Sequence, residues 1–513
     1  MDDWRVSSRL TLNVGVRWEA LPHAYDINGR MSNFYPNLWN PANAAIFVPG
    51  SNGNLQQYTA GNNPEPGWTT VPGVTLNTVL FYMNGIGLAG KNGIPKSLVT
   101  DHYMNIGPRV GFEYNLFGDG KTILRGGGGI FFEENAGNEE YNGGANVPFS
   151  NSASASQPYM DTPATTWVNG TAAQGAPATP QSPTGVQADL PITDVYQFNL
   201  GIQRELRTNM VATVGFVGNI SSHLSQTADV NYVPLNDPDR IYMCGGNCGT
   251  SSTDPTQFNT NYHRSYLGMS GVNLVEDEGN SHYEGFQATI RATSFHNLSV
   301  DLAYTYSHVW DVIDGQLFNN LDVPSNPRYQ YGTAGFDRRQ IAVANFNYDI
   351  PVFQSGGGAA KNILGGWTIS GVTTMETGNP LNVGSPNTTG LPVTDHPVVS
   401  GKVTYPHSAT QWFTPQAFSE PGALQFGSPG KNWVKGPGRD QWALTLYKTF
   451  KFTERAGFRF QADAFNAFNH TQFNGVNTGV LTGNATNPYT SNAGEINSTF
   501  DPRVFQLGGR LFF

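Results

Sequence analysis

At 513 residues the chain exceeds one ordinary soluble domain, which leaves several domains or one large barrel. With 13% charged residues, 12% aromatic residues, 60 Gly and 33 Pro, the composition suits strands joined by long polar loops rather than helices. No run approaches the roughly 18 apolar residues of a membrane-crossing helix, and a net charge of -10 supplies no basic stripe for a nucleic-acid partner.

The first strand is expected at 7–19. Leu10, Leu12, Val14, Val16 and Trp18 alternate there with Thr11, Asn13, Gly15 and Arg17. After a loop of roughly 85 residues come strands at 107–115 and 122–132, linked through L-F-G-D-G-K, a hairpin turn signal. Val110, Phe112 and Tyr114, then Leu124, Ile130 and Phe132, form one side; Glu113 and Arg125 fall on the other. The pattern recurs at 194–206 and 209–218, where Tyr196, Phe198, Leu200 and Ile202 alternate with Gln197, Asn199 and Gln203. At 282–293 and 297–310, Phe286, Ala288 and Ile290 alternate with Arg291, and Leu302, Tyr304 and Tyr306 with Asp301. Strands at 338–350 and 365–377 flank a G-G-G turn, and those at 440–452 and 456–467 set Trp442, Leu444, Phe458 and Phe460 against Arg459 and Asp463. The last strand, 503–513, places Phe505, Leu507, Leu511 and Phe513 on one face and Arg510 on the other, and ends on an aromatic.

The count is about twelve strands of about 10–14 residues, joined alternately by tight turns and long loops, which is the asymmetry of outer-membrane barrels. Arg17, Glu113, Arg125, Arg291, Asp301, Arg459, Asp463 and Arg510 share the inward parity and are candidate lumen-facing charges. Lys448 and Arg204 break the alternation near turns, where long side chains can reach the interface. Trp4, Trp18, Tyr306, Trp310, Trp367 and Trp442 suit aromatic girdles, and Arg338 and Arg339 a rim. Trp39, Trp68, Trp167, Trp412 and Trp433 lie in the large loops, where aromatics can stack on a sugar or peptide. The expected fold is therefore all-β: an antiparallel transmembrane β-barrel with long extracellular loops, forming a single domain over 1–513. A soluble array of sandwiches or a propeller would need shorter strands and a repeat period, and neither is present.

Cys244 and Cys248 suit a small loop disulfide better than a metal site, because no further Cys or His pair accompanies them. The glycines at 126–129 lack the Lys-Ser/Thr and helix of a phosphate loop and read as a bend or a close backbone approach. Asp311, Asp314, Glu276, Asp277 and Glu278 match no calcium loop and read as solvated carboxylates. No H-E-x-x-H or G-x-S-x-G occurs; no enzyme activity, metal or cofactor is expected. Residues 1–10 lack the basic and apolar regions of a signal peptide.

Several segments together resemble the Oar-like TonB-dependent outer-membrane receptors: D-D-W-R-V-S-S-R-L-T-L-N-V-G-V-R-W-E at 2–19, N-L-G-I-Q-R-E-L at 199–206, V-G-F-V-G-N at 214–219, A-Y-T-Y-S at 303–307, F-D-R-R at 336–339, F-N-A-F-N-H at 465–470 and the closing L-G-G-R-L-F-F. The resemblance implies the C-terminal half of a barrel of about 22 strands. It implies that a regulatory-like domain, the plug, the TonB-contacting box and the earlier strands are missing through truncation or a mis-started gene. It also implies location in the outer membrane of a Gram-negative cell, contact with its lipid, recognition of the C-terminal strand by barrel-assembly machinery, coupling to TonB only in a full-length form, and movement of a large solute such as a glycan, peptide or protein. Two alternatives from other classes are a passive porin-like channel closed on itself and a secreted adhesin or carbohydrate-binding protein.

Overall fold

In the computed structural model the described residues are 2–44, 47–49, 55–57, 83–134, 137, 141–150, 181–314, 323, 325–353, 358–391, 393, 395–482, 484 and 486–513. The sheet follows directly from the alternation. Thirteen strands pair antiparallel, each with its sequence neighbour in the order: β1 (Asp2–Arg5), β2 (Leu10–Leu21), β3 (His102–Asn115), β4 (Thr122–Glu133), β5 (Thr193–Arg207), β6 (Met210–Asp229), β7 (Asn273–Phe295), β8 (Leu298–Asp311), β9 (Gln340–Asp349), β10 (Trp367–Glu376), β11 (Arg439–Lys451), β12 (Gly457–Phe465) and β13 (Val504–Phe512). The short β1 is one strand more than the pattern suggested; its four residues carry too little alternation to stand out. Among the described residues β1 and β13 do not pair with each other, so the sheet has two free edges.

Register keeps the charged residues on one face of the sheet, among polar and small neighbours and a few apolar ones, because directly opposed residues share a face. Arg17 stands opposite Gly107 on β3, and Glu113, on the same face of β3, opposite Arg125. From Arg125 the row runs through Gly201 and Gly215 to Gln287. On β7 that same face carries Arg291, opposite Asp301, and the next row continues through Asn345, Val372 and Ala443. Asp463 faces Thr445, and Arg459 faces Arg510. The opposite face exposes Val14, Val110, Leu200, Val214, Phe216, Phe286, Ile290, Leu302, Leu446 and Leu507. The described helices include none long and apolar enough to cross a membrane; the strands do it.

The glycines of β4 serve both faces. A Cβ on Gly126 would meet the Phe112 ring at 2.6 Å, and one on Gly127 the Val110 carbonyl oxygen at 2.9 Å. Their absence lets the rings lie flat and the backbones approach.

β6 and β7 are 20 and 23 residues long and run well past the stretches the alternation marked, into sequence that reads as loop. Register shifts at Ser222, Leu224 and Gln226 break the period of two there, and His223 takes a φ of 57°. Lys448, expected to reach for the interface, is instead buried against the connection between β9 and β10.

Arginine at Val214, on the apolar face of β6 and in the middle of the alternating stretch 210–218, is expected to cost about 2–4 kcal/mol. Arginine at the adjacent Thr213, on the polar face, should be tolerated. Reversible denaturant unfolding of the two variants in lipid vesicles checks the difference.

Candidate functional site: the polar face and the loop crown

The polar face presents short, local ion pairs. Arg291 Nε lies 2.6 Å from Asp301 Oδ1, Arg125 Nε 3.3 Å from Glu113 Oε2, and Arg17 Nη2 2.6 Å from Glu19 Oε1. Asp463 accepts from the Thr445 hydroxyl at 2.6 Å and from Gln461 Nε2 at 2.9 Å, while the Arg459 guanidinium sits 4.2 Å from the centre of the Tyr447 ring. Arg510, directly opposite Arg459, lies on the edge strand with no acidic partner across the pair. Most of these charges are well exposed, so each pair contributes about 0–1 kcal/mol and serves to keep the surface wet rather than to hold the fold. Between β7 and β11 this face opens into a trough of about 730 Å³ lined by Arg291, Asp301, Asn345, Asn347, Ser370 and Thr445, among others.

The long connections read as structureless loops, yet they carry their own cores. Val383, Trp412, Phe413, Phe418, Val434 and Val480 form the largest, assembled from the connections before β11 and before β13. Phe34, Met269 and Val272 make another, and Val99, Val186, Leu190 and Val275 a third. The loop aromatics proposed as ligand platforms are largely occupied. Trp412 is buried and donates through Nε1 to the Lys435 carbonyl at 2.7 Å, Trp39 packs edge-on at 5.4 Å against Tyr266, and Trp433 meets His396 at 5.3 Å. Trp68 and Trp167 lie outside the described residues.

Buried cations tie the loops together. Arg240 donates to the carbonyls of Leu235 and Thr389, joining the connection after β6 to the one after β10. Beside it Cys244 and Cys248 form a disulfide, with their sulfurs 3.6 Å and 3.2 Å from the Thr388 carbonyl oxygen. The Asp395 carboxylate organises the receiving turn, accepting from the Thr389 amide at 3.0 Å and the Thr389 hydroxyl at 2.8 Å. Arg264 lies 2.8 Å from Asp229. Lys431 lies 2.6 Å from Asp311 and 3.0 Å from Asp314, and Asn432 Nδ2 donates to Asp314 at 3.0 Å.

Of the five carboxylates expected to be solvated, Glu278 and Asp314 are exposed, Glu276 is half-buried, and Asp277 and Asp311 are buried. Burial pushes the Asp311 carboxyl up to about 6 despite Lys431. Asp314 also feels burial, but hydrogen bonds from Asn432 and Gly335 and the Lys431 charge hold it below the usual range. Burial, aided by Glu278, raises Glu276 to about 7. Linear spacing also hides one polar cluster: ligand atoms of Asp237, Asp239 and His263 lie within 4.8 Å of one another. There His263 Nδ1 is 2.9 Å from Asp237 Oδ2, and Asp237 Oδ1 accepts from the Asp239 amide at 2.9 Å.

One apolar face, one polar face, tight turns at one rim and packed loops at the other define an outer-membrane β-barrel protein. The chain belongs to the outer membrane beta barrel domain family, whose model matches residues 1–506, and it is a protein of the cell outer membrane. No curated protein sequence matches it. Among solved structures it is similar to the outer membrane transporter YddB from Escherichia coli, at 10% identity and a TM-score of 0.42, over 80% of this chain and 41% of that one. It is also similar to the ferripyoverdine receptor of Pseudomonas aeruginosa, at 10% identity and 0.37, over 100% and 37%. A third similar structure is BauA, the ferric preacinetobactin receptor of Acinetobacter baumannii, at 11% identity and 0.37, over 83% and 38%. The chain spans less than half the length of each.

Two predictions follow from the crown's buried charges. Lys431→Met leaves Asp311 and Asp314 without their cation, a loss of about 3–5 kcal/mol for a broken buried pair, read as lost hydrogen-exchange protection of the Gly335 amide. The proton on Glu276 stabilises the folded crown below its folded value, so protection of its cross-strand neighbour Gln226 falls as pH rises from about 4.5 to about 7. Glu276→Gln should remove that dependence once intrinsic exchange rates are divided out.

Proposed function

We propose that the chain forms wall and loops of a TonB-dependent receptor of Oar-like type, which binds a large solute at the crown and passes it along the polar face. What supports this reading is one face of the sheet that carries charges on strands from β2 (Arg17) to β13 (Arg510) behind an opposite face of exposed apolar side chains, since a soluble adhesin needs no lipid-facing band. The eight charges are read as lumen-facing, with Arg291 and Asp301 lining the trough toward the short-turn rim. The packed loops suit a glycan, peptide or protein better than a small ion, because they offer a broad folded surface. TonB would act through a plug in a longer form of the protein. The barrel-assembly machinery would take the last strand by Phe505, Leu507 and Leu511, exposed on one face of β13, and by the exposed Phe513 just after it. The acidic balance leaves nucleic acid out, and the reading needs no cofactor.

Planar-bilayer recording of the purified chain tests the reading against a passive pore. A sheet with two free edges is expected to give no steady ohmic conductance. A stable, voltage-independent open channel would replace the receptor reading by that of a porin-like channel.

A further inference from the structure

Most connections at the short-turn rim pass straight from strand to strand, but the one between β9 and β10 carries a short helix, α1 (Ala359–Leu364). Its place is set by Lys448. Lys448 stands opposite Trp367 on β10 and Phe460 on β12, on the outward apolar face, where an uncovered ammonium would meet lipid. Instead the side chain is buried and its ammonium donates to the carbonyls of Asn362 at 2.7 Å, Ile363 at 3.2 Å and Gly365. These are carbonyls that the end of a helix leaves unpaired. Trp367 Nε1 adds a bond to the Ile363 carbonyl at 3.0 Å. Both anchoring side chains rise from the outward face, so α1 lies against the outside of the wall. On its free side Ile363 is 60% exposed and Leu364 49%; in the same connection Phe353 is 53% exposed and Val352 48%.

We propose that this connection is an interfacial foot: α1 lies along the headgroup boundary of the periplasmic leaflet, with Ile363, Leu364 and Phe353 among the upper acyl chains of phospholipid. Lipid is the occupant because the exposed side chains continue the lipid-facing surface of β10–β12, and the helix is pinned to that surface rather than to the polar face. The rim belongs to the periplasmic side because it carries the tight turns. Exposed Lys361 on the same helix offers an ammonium to anionic headgroups. Lys448 then has a second role: it converts a lipid-facing charge into the clamp that holds the foot in place.

Because Cys244 and Cys248 are joined, a single introduced cysteine can carry a fluorescent label. Ile363→Cys and Asp119→Cys, the latter at the tip of the exposed β3–β4 turn on the same rim, are labelled with nitrobenzoxadiazole. The protein is reconstituted in phosphatidylethanolamine–phosphatidylglycerol vesicles containing brominated acyl chains. The label at 363 is expected to be quenched at least about twofold more than that at 119, with a depth about 5–10 Å inside the headgroup boundary. Adding Lys448→Met should lower the quenching at 363 while the strands remain folded by gel mobility. Equal quenching at the two sites overturns the proposal, as does a label at 363 shielded from both brominated lipid and aqueous iodide, which would mean that protein covers α1. Unchanged quenching in the Lys448→Met protein overturns the clamp.

Discussion

Inside hydrocarbon no water is available to pair with a backbone N–H or C=O, so each must be satisfied by a neighbouring strand. That requirement dictates the rest of the molecule. It forces antiparallel pairing of sequence neighbours over thirteen strands, and lipid on one side of the sheet then selects the side chains. Period-two alternation is the trace this leaves in the sequence. Glycines in β4 and the ring of Phe112 show how closely the ladder is packed where two backbones approach.

Beyond the bilayer the constraint reverses. The connections stand in water and have no ladder to complete, so they fold by burying Trp412, Phe413 and Phe418 and by sinking Arg240, Arg264 and Lys431 among carbonyls and carboxylates. The same side chains that keep the polar face wet in the strands act as ties in the loops. Exposure separates the two uses: Arg291 and Asp301 are open to solvent, whereas Lys431 and Asp311 are not.

The strands were legible because alternation is local. Arg125, Arg291 and Arg459 could be placed on one face by counting, and the register across β3–β13 puts them there. The outer ends of β6 and β7 were not legible, because the shifts near Leu224 break the count. Neither was the crown. Lys431 meets Asp311 and Asp314 across more than a hundred residues of chain, and nothing near Lys431 announces it. Asp237, Asp239 and His263 illustrate the same limit. Trp412 and Trp433 read as ligand platforms because they lie in a large loop; in space other parts of the connections fold around them.

The two populations of charge should answer differently to the surrounding water's salinity. Ions enter the open face and weaken exposed pairs such as Arg125 with Glu113, because salt and water reach both partners. They have little access to Lys431 between Asp311 and Asp314. In brackish surroundings the polar face would change its electrostatic character while the packed loops kept their shape.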